Sequence, residues 1–175
     1  PMTVSLNPST LDRVIGDVIH SMETHGIRKM VLLNGHGGNN LKNTLREYFG
    51  KTGMFLSLVE WWKVAADRYA EIIEHSNGDH ADEMETSVVM YLFPELVDLA
   101  LADDGAVKAS RFEAINRGWV QVTRPWHIVT TNAGVGYPKK ASPEKGKKII
   151  DIVVERIGQY LKELSDAEIN ETFPY

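Results

Sequence analysis

The hydrophobic positions of this chain switch between helical and extended spacing, and each switch marks an element. The opening Pro1-Met2-Thr3-Val4-Ser5-Leu6 reads as a short extended piece, closed by the turn signal Asn7-Pro8. Leu11, Val14, Ile15, Val18, Ile19 and Met22 then follow the i, i+3, i+4, i+7 rule of an amphipathic helix, capped by Ser9 or Thr10 and ended at His25-Gly26. Unbroken apolar runs at 27–33 and 54–59 predict strands covered on both faces, and between them Leu41, Leu45 and Tyr48 mark a helix ending near Gly50. A helix over 64–74, with Ala65, Tyr69, Ile72 and Ile73 as its buried side, meets a break at Ser76-Asn77-Gly78. The next helix is expected to start near Ala81 and run through the apolar stretch 88–93 to Pro94. Residues 102–117 read as a polar surface excursion, 119–123 and 126–130 as short strands or extended pieces, and 132–138 as a glycine-rich loop. Ser142 caps a final helix with Pro143 at its first position. Ile149, Ile150, Val153, Val154, Ile157, Leu161 and Leu164 give that helix one long apolar face.

Within this pattern the run Met30-Val31-Leu32-Leu33 stops at Asn34-Gly35-His36-Gly37-Gly38-Asn39. Apolar strand, glycine-rich turn and helix are the means by which an α/β protein sets a reactive group at the carboxyl end of a parallel strand. The glycines let backbone N–H groups approach a ligand, while Asn34 and Asn39 tie the turn to itself. An imidazole on such a turn suits a metal ligand or a proton carrier. The same turn also suits an anion or nucleotide cradle, and a lone histidine is more often structural.

A second polar cluster, Asp79-His80-Ala81-Asp82-Glu83-Met84-Glu85, precedes the apolar run at 88–93. On a helix starting near Ala81, His80 lies at the mouth and Glu83 shares its face, while Glu85 points elsewhere unless the first turn is irregular. Helix-dipole pairing accounts for Asp82. It accounts less well for Glu85, since a buried carboxylate needs a metal or a cation. Of the adjacent Trp61 and Trp62, one is expected to pack inward and the other to face the crevice or a neighbouring subunit.

Composition narrows the class. The 175 residues suit one domain over 1–175. A net charge of −5 is not the basic footprint of a nucleic-acid binder, so a small-molecule partner is expected. Cysteine is absent, which removes disulfide and thiolate chemistry. No apolar run approaches the ~20 residues that span a bilayer, and a cytoplasmic protein without a membrane partner is the simplest reading.

Taken together, Asn34-Gly35-His36-Gly37-Gly38-Asn39 and His80-Ala81-x-Glu83-x-Glu85-Thr86-Ser87 resemble the creatininase (creatinine amidohydrolase) family. The opening Pro1 to Leu6 and the late Ala141-Ser142-Pro143-Glu144-Lys145-Gly146 resemble it too, in the same order. The resemblance implies a three-layer α/β/α sandwich around a mostly parallel sheet, assembled as a homo-oligomer, usually a hexamer. It implies hydrolysis of amide C–N bonds in a small cyclic or linear amide, with two divalent metals, zinc or manganese. His36 matches a metal-ligand histidine, His80 the histidine that moves protons and holds substrate, and Glu85 the acid beside it. Trp62 aligns with a tryptophan that closes over substrate, and Gly37 and Asn39 are expected to contact substrate with it.

The chain departs from the family at two points. Gly38 stands where creatininase has a metal-binding Glu and Glu83 where it has an apolar residue, so Glu83 is expected to supply the missing carboxylate. The family's Glu-x-His-Gly and a downstream Asp, which provide most of the remaining ligands, have no match here. Glu23-Thr24-His25-Gly26 carries the letters, yet it falls at the end of the first helix, a strand's length from His36. The expectation is therefore the carboxyl-terminal portion of a longer enzyme, partnered by an amino-terminal segment of the same protein. The alternatives are a non-catalytic subunit of the same fold and the anion or nucleotide cradle.

Overall fold

The computed structural model describes residues 5–75 and 78–175, so the expected extended start at Pro1 to Val4 and the Ser76-Asn77 part of the expected break lie outside the described residues. The chain divides into two compact units, one formed by residues 1–64 and 157–175 and the other by residues 65–156.

The first unit is built on a parallel pair of strands. Helix α1 (Pro8–Thr24) begins on Asn7 rather than Ser9 or Thr10, because Pro8 takes the first helical position, where its missing N–H costs nothing. It ends as expected, with His25 as the last half-helical residue and Gly26 left-handed at φ +81°. Strand β1 (Lys29–Asn34) pairs in parallel with β2 (Phe55–Glu60), in a register that sets Lys29 beside Phe55 and Asn34 beside Glu60. Helix α2 (Lys42–Tyr48) makes the crossover. Tyr48 lies so close on α1 that a Cβ on Gly16 would come within 1.7 Å of its hydroxyl oxygen. Lys29 extends its ammonium to the main-chain oxygens of Leu164 (2.6 Å), Ser165 (3.2 Å) and Ala167, a cation at carbonyls that a helix end leaves unpaired. Two expectations fail in part here. Val14, Val18 and Met22 of α1 are exposed, as is Leu33 of β1, so neither element is covered as widely as its apolar pattern suggests.

The second unit is irregular except for its two main helices. Where a helix over 64–74 was expected there is only a 3₁₀ turn (Ala66–Arg68) and the single turn α3 (Tyr69–Ile72). Helix α4 (Glu83–Leu92) is followed by two 3₁₀ turns, the short helices α5 (Glu113–Asn116) and α6 (Trp126–Val129), and α7 (Pro143–Asp166). The expected strand at 126–130 is instead this turn of helix: Ile128 and Val129 N–H donate to the Pro125 carbonyl, and Thr130 N–H donates to that of Trp126. The β-branched residues there have no neighbouring strand among the described residues, and local bonds prevail.

Helix α7 is capped as expected, with Lys145 N–H donating to Ser142 Oγ at 3.3 Å. Ile149, Val153 and Leu164 are buried, but Val154 and Leu161 are exposed, since each lies well over 100° around the helix from Ile149. The approach of α4 to α7 depends on small residues. Ser87 Oγ donates to Glu83 O (2.6 Å) and accepts from Ser142 N (3.1 Å), and a Cβ on Gly146 would fall 1.9 Å from Ser87 O. That oxygen belongs to the helix backbone and cannot turn aside as a flexible side chain would. Gly146→Ala is therefore expected to destabilise the protein by about 1–3 kcal/mol, seen as a lower thermal midpoint. An unchanged melting curve would contradict the close approach.

Candidate functional site

The first unit carries the histidine turn. Asn34, buried at the end of β1, donates through Nδ2 to Asn39 O (2.9 Å) and accepts on Oδ1 from His36 N (3.2 Å). Gly38 N–H donates to His36 Nδ1 at 3.1 Å, and Asn39 N–H donates to His36 O at 3.1 Å. The turn thus spends the N–H groups of His36, Gly38 and Asn39 on itself, which weighs against the anion cradle. Gly38 permits this fold-back: a Cβ there would fall 2.9 Å from His36 Cε1 and Nδ1. Both tryptophans are half-buried and border the turn, so the expected division into one inward and one outward ring does not hold. Trp61 Nε1 donates to Gly35 O (3.2 Å), and Trp62 Cζ2 lies 4.0 Å from where a Gly37 Cβ would sit. Glu23 is engaged elsewhere, its carboxylate accepting from Gly53 N–H at 2.6 Å before β2 begins.

The second unit carries the acidic turn, and its geometry differs from that of a helix starting near Ala81. Asp82 is the N-cap, accepting Glu85 N–H on Oδ1 at 2.7 Å, and α4 starts at Glu83. Ala81 is left-handed, at φ +44°, a conformation that a β-carbon disfavours by roughly 1–2 kcal/mol. Contacts from the loop 132–138 hold it there. Val135 bridges His80, donating N–H to His80 O (2.7 Å) and accepting Asp79 N–H (3.0 Å), and Gly136 O accepts Glu83 N–H (2.9 Å). Gly136 has φ +115°, and a Cβ on it would meet Gly78 Cα at 2.4 Å, so glycine is required.

This irregular start exchanges the roles of the two glutamates. Glu85 folds back, and its Oε2 accepts the Ala81 N–H at 2.8 Å, beside His80. Glu83 turns inward, with 0 % of its surface exposed. Its Oε1 accepts from Glu74 N (3.0 Å) and Lys145 Nζ (2.6 Å), and its Oε2 accepts from Glu74 N (3.1 Å) and His75 N (3.0 Å). Three donors thus meet the carboxylate on both oxygens, with the Glu74 N–H shared between them. The expectation that Glu83 is a metal ligand therefore gives way to a structural role. Burial pushes its carboxyl up, but the Lys145 ammonium and the backbone donors outweigh that and hold it below the usual range. His75 Nδ1, 3.4 Å from Glu83 Oε2, makes no hydrogen bond to it, and its ring instead stacks on Tyr137 at 4.0 Å.

Two neighbours escaped the sequence reading. Burial, reinforced by Asp82 and Glu85, pushes the Tyr69 hydroxyl up to about 12, so it remains a hydrogen-bond donor near both carboxylates. Trp126 packs its ring 5.0 Å from that of His80. An open cleft of about 1260 Å³ is lined by Asp79, Arg124 and Val135 and by Val107, Phe112 and Ile128, while His80 is not among its lining residues. It exceeds the roughly 300–1,000 Å³ of small-ligand pockets, so its size selects no substrate.

Among the described residues no three His, Asp or Glu side chains gather as a metal site. His36 Nδ1 is occupied by Gly38 N–H and both Glu83 oxygens are engaged, so these residues alone do not fit a two-metal centre. Nor is any described helix long and apolar enough to cross a membrane.

If Glu83 is structural, Glu83→Gln should destabilise the protein by about 3 kcal/mol in a denaturant titration and leave unchanged whatever divalent metal the purified wild type carries. Lost metal with intact stability would restore the ligand role. Asp82 supplies a pH test, because burial raises its carboxyl to about 6. With the folded value above the unfolded one, its contribution is complete below about pH 4 and is lost as pH rises through 6. Relative to Asp82→Asn, which keeps the cap, the wild type should lose on the order of 1–3 kcal/mol across that window. Parallel stability curves would refute it.

Comparison with known proteins places the chain in a family. A model of the creatininase family, described as creatinine amidohydrolase, matches residues 1–161. The creatinine amidohydrolase of Pseudomonas putida is 27% identical over 178 residues, covering 93% of this chain and 66% of the relative. The 3-dehydro-scyllo-inosose hydrolase of Thermotoga maritima is 28% identical over 194 residues, covering 99% and 61%. This chain thus spans 61–66% of the length of these two relatives. A crystal structure from Bacteroides fragilis, given as a candidate creatinine amidohydrolase, superposes with a TM-score of 0.87 at 34% identity, covering 98% of this chain and 67% of that one. A manganese creatininase gives 0.73 at 27% identity and a zinc–zinc creatininase variant 0.72 at 26%, each covering 95% of this chain and 68% of its own. The α/β fold expected from the sequence is thereby shown. With its strand-end histidine turn and its irregular acidic turn both inside the matched residues, the chain belongs to the creatininase family.

Proposed function

We propose that this chain works in a metal-dependent hydrolase that cleaves an amide C–N bond of a small cyclic or linear amide. The observation that carries the reading is the back-folded Glu85: its carboxylate is tied at 2.8 Å to the N–H of Ala81, the residue that follows His80 in the chain. Among the described residues that is the one hydrogen bond Glu85 accepts, so its other oxygen can take a proton from an attacking water. His80, next to Ala81 in the chain, then receives that proton from Glu85 and passes it from its imidazolium to the leaving nitrogen. Within the first unit, Trp61 and Trp62 lie against the glycine turn and offer apolar surface there.

Divalent zinc or manganese is proposed from the relatives, which include a manganese and a zinc–zinc creatininase. Bound metal in such hydrolases supplies an activated water. His36 would be one ligand once Gly38 N–H releases its Nδ1, which can then bind directly or take the ring proton and free Nε2, and the others would come from outside the described residues. An amino-terminal segment of the same protein and a homo-oligomer are the proposed partners. The named relatives act on different compounds, creatinine and 3-dehydro-scyllo-inosose, so amide substrates are to be screened rather than assumed.

In that screen, of creatinine and other small cyclic and linear amides with zinc or manganese present, His80→Gln and Glu85→Gln should each lower kcat by about 100-fold or more. Both variants should keep the wild-type melting midpoint to within a few degrees. Full turnover in either folded variant would overturn the assignment.

A further inference from the structure

The mouth of α4 holds a closed ring of contacts that the proton-transfer roles do not use. Asp79 pairs with Arg124 through a carboxylate–guanidinium contact. The Arg124 guanidinium carbon stands 4.9 Å from the centre of the Trp126 ring. Trp126 in turn packs against His80, with centroids 5.0 Å apart and the planes tilted by 51°. His80 follows Asp79 in the chain, which closes the ring, and both are tied to Val135 through backbone hydrogen bonds. Pro125, between the cation and the indole, restricts the backbone and holds the two at a fixed separation.

This ring does little for the stability of the fold. The Arg124 and Asp79 side chains are 49% and 50% exposed, and ion pairs so open to water stabilise a protein only slightly. Trp126 is itself 36% exposed, so the indole is not buried for its apolar area alone. Its contacts run to one side chain with a proposed chemical task. An indole against an imidazole restricts the imidazole's χ2 rotation, and a guanidinium stacked on the indole limits the indole's own freedom. A histidine with fewer packing contacts samples more rotamers, and each departure from the transfer geometry slows the reaction.

We propose that Asp79, Arg124 and Trp126 form an aromatic–cation brace that positions the His80 imidazole for proton transfer. The brace is argued to act through His80, so its members are positioning residues. The inference rests on the reading of His80 as a proton carrier, and the experiment separates the two.

The His80 imidazole resonances, assigned by their loss in His80→Gln, are recorded for wild type, Trp126→Ala, Trp126→Phe and Asp79→Asn, the last preserving side-chain shape if the alanine variant folds poorly. The brace predicts that Trp126→Ala abolishes the indole-induced shift of His80 Cε1–H and that Trp126→Phe keeps part of it. Asp79→Asn should broaden the resonance by loosening Arg124. On whichever amide the wild type hydrolyses, kcat should fall about tenfold in Trp126→Ala with KM within twofold, and recover in Trp126→Phe. An unchanged His80 resonance in Trp126→Ala overturns the brace, and so does equal kcat in the alanine and phenylalanine variants. If His80→Gln hydrolyses as well as wild type while the Trp126-dependent shift persists, the proton-carrier reading fails and the contact geometry stands.

Discussion

A carboxylate with none of its surface in water must have each oxygen met, and that demand organises the second unit of this protein. Glu83 is met by the backbone of Glu74 and His75 and by the Lys145 ammonium, groups drawn from the segment before the acidic turn and from the start of α7. Lys145 also reaches Glu74 Oε1 at 3.1 Å and Lys140 O at 2.8 Å, so a single cation links three stretches of chain. The partners are strong because they are charge-assisted, and buried removal of one would leave the other uncompensated. Around this anchor, Ser87 and Gly146 let α4 and α7 approach closely.

The consequence falls on the turn beside it. With Glu83 directed inward as the first helical residue, the chain before it has to reverse sharply, and Ala81 takes up the left-handed strain. The loop around Val135 and Gly136 supplies the bonds that hold this conformation. Glu85 is then free to reach back to the Ala81 N–H. Strain of this kind, fixed by surrounding contacts, is common where side chains must be held for chemistry, and here it brings the Glu85 carboxylate back to the backbone that follows His80.

Much of the first unit was legible in the sequence because its signals are local. The strands begin and end within two residues of their apolar runs, Gly26 ends α1, and Asn34 and Asn39 bind each other as side chains of that type do in a turn. The acidic turn was only half legible. Its helix was expected to start near Ala81, and a shift of two residues turns every side chain by about 200°, which is why Glu83 and Glu85 exchange places. Nothing local announces that shift, since Gly136 and Lys145, which enforce it, lie more than 50 residues downstream. Trp126 was hidden for a related reason: a β-branched run reads as a strand until the absence of a neighbouring strand lets it coil into a turn of helix. Of the metal ligands that the family resemblance implies, the sequence offered His36 and Glu83, and the described residues gather no metal site around either.

The claim that the buried glutamate holds the reactive turn is tested most directly by amide hydrogen exchange at Glu74, His75 and Ala81, in wild type and in Glu83→Gln. All three N–H groups should be protected in the wild type, the first two by Glu83 and the third by Glu85. Protection should fall together at all three sites in the variant, including Ala81, which Glu83 does not touch. Ala81 protection that survives while Glu74 and His75 open would show that the turn stands without its anchor, and would contradict the account.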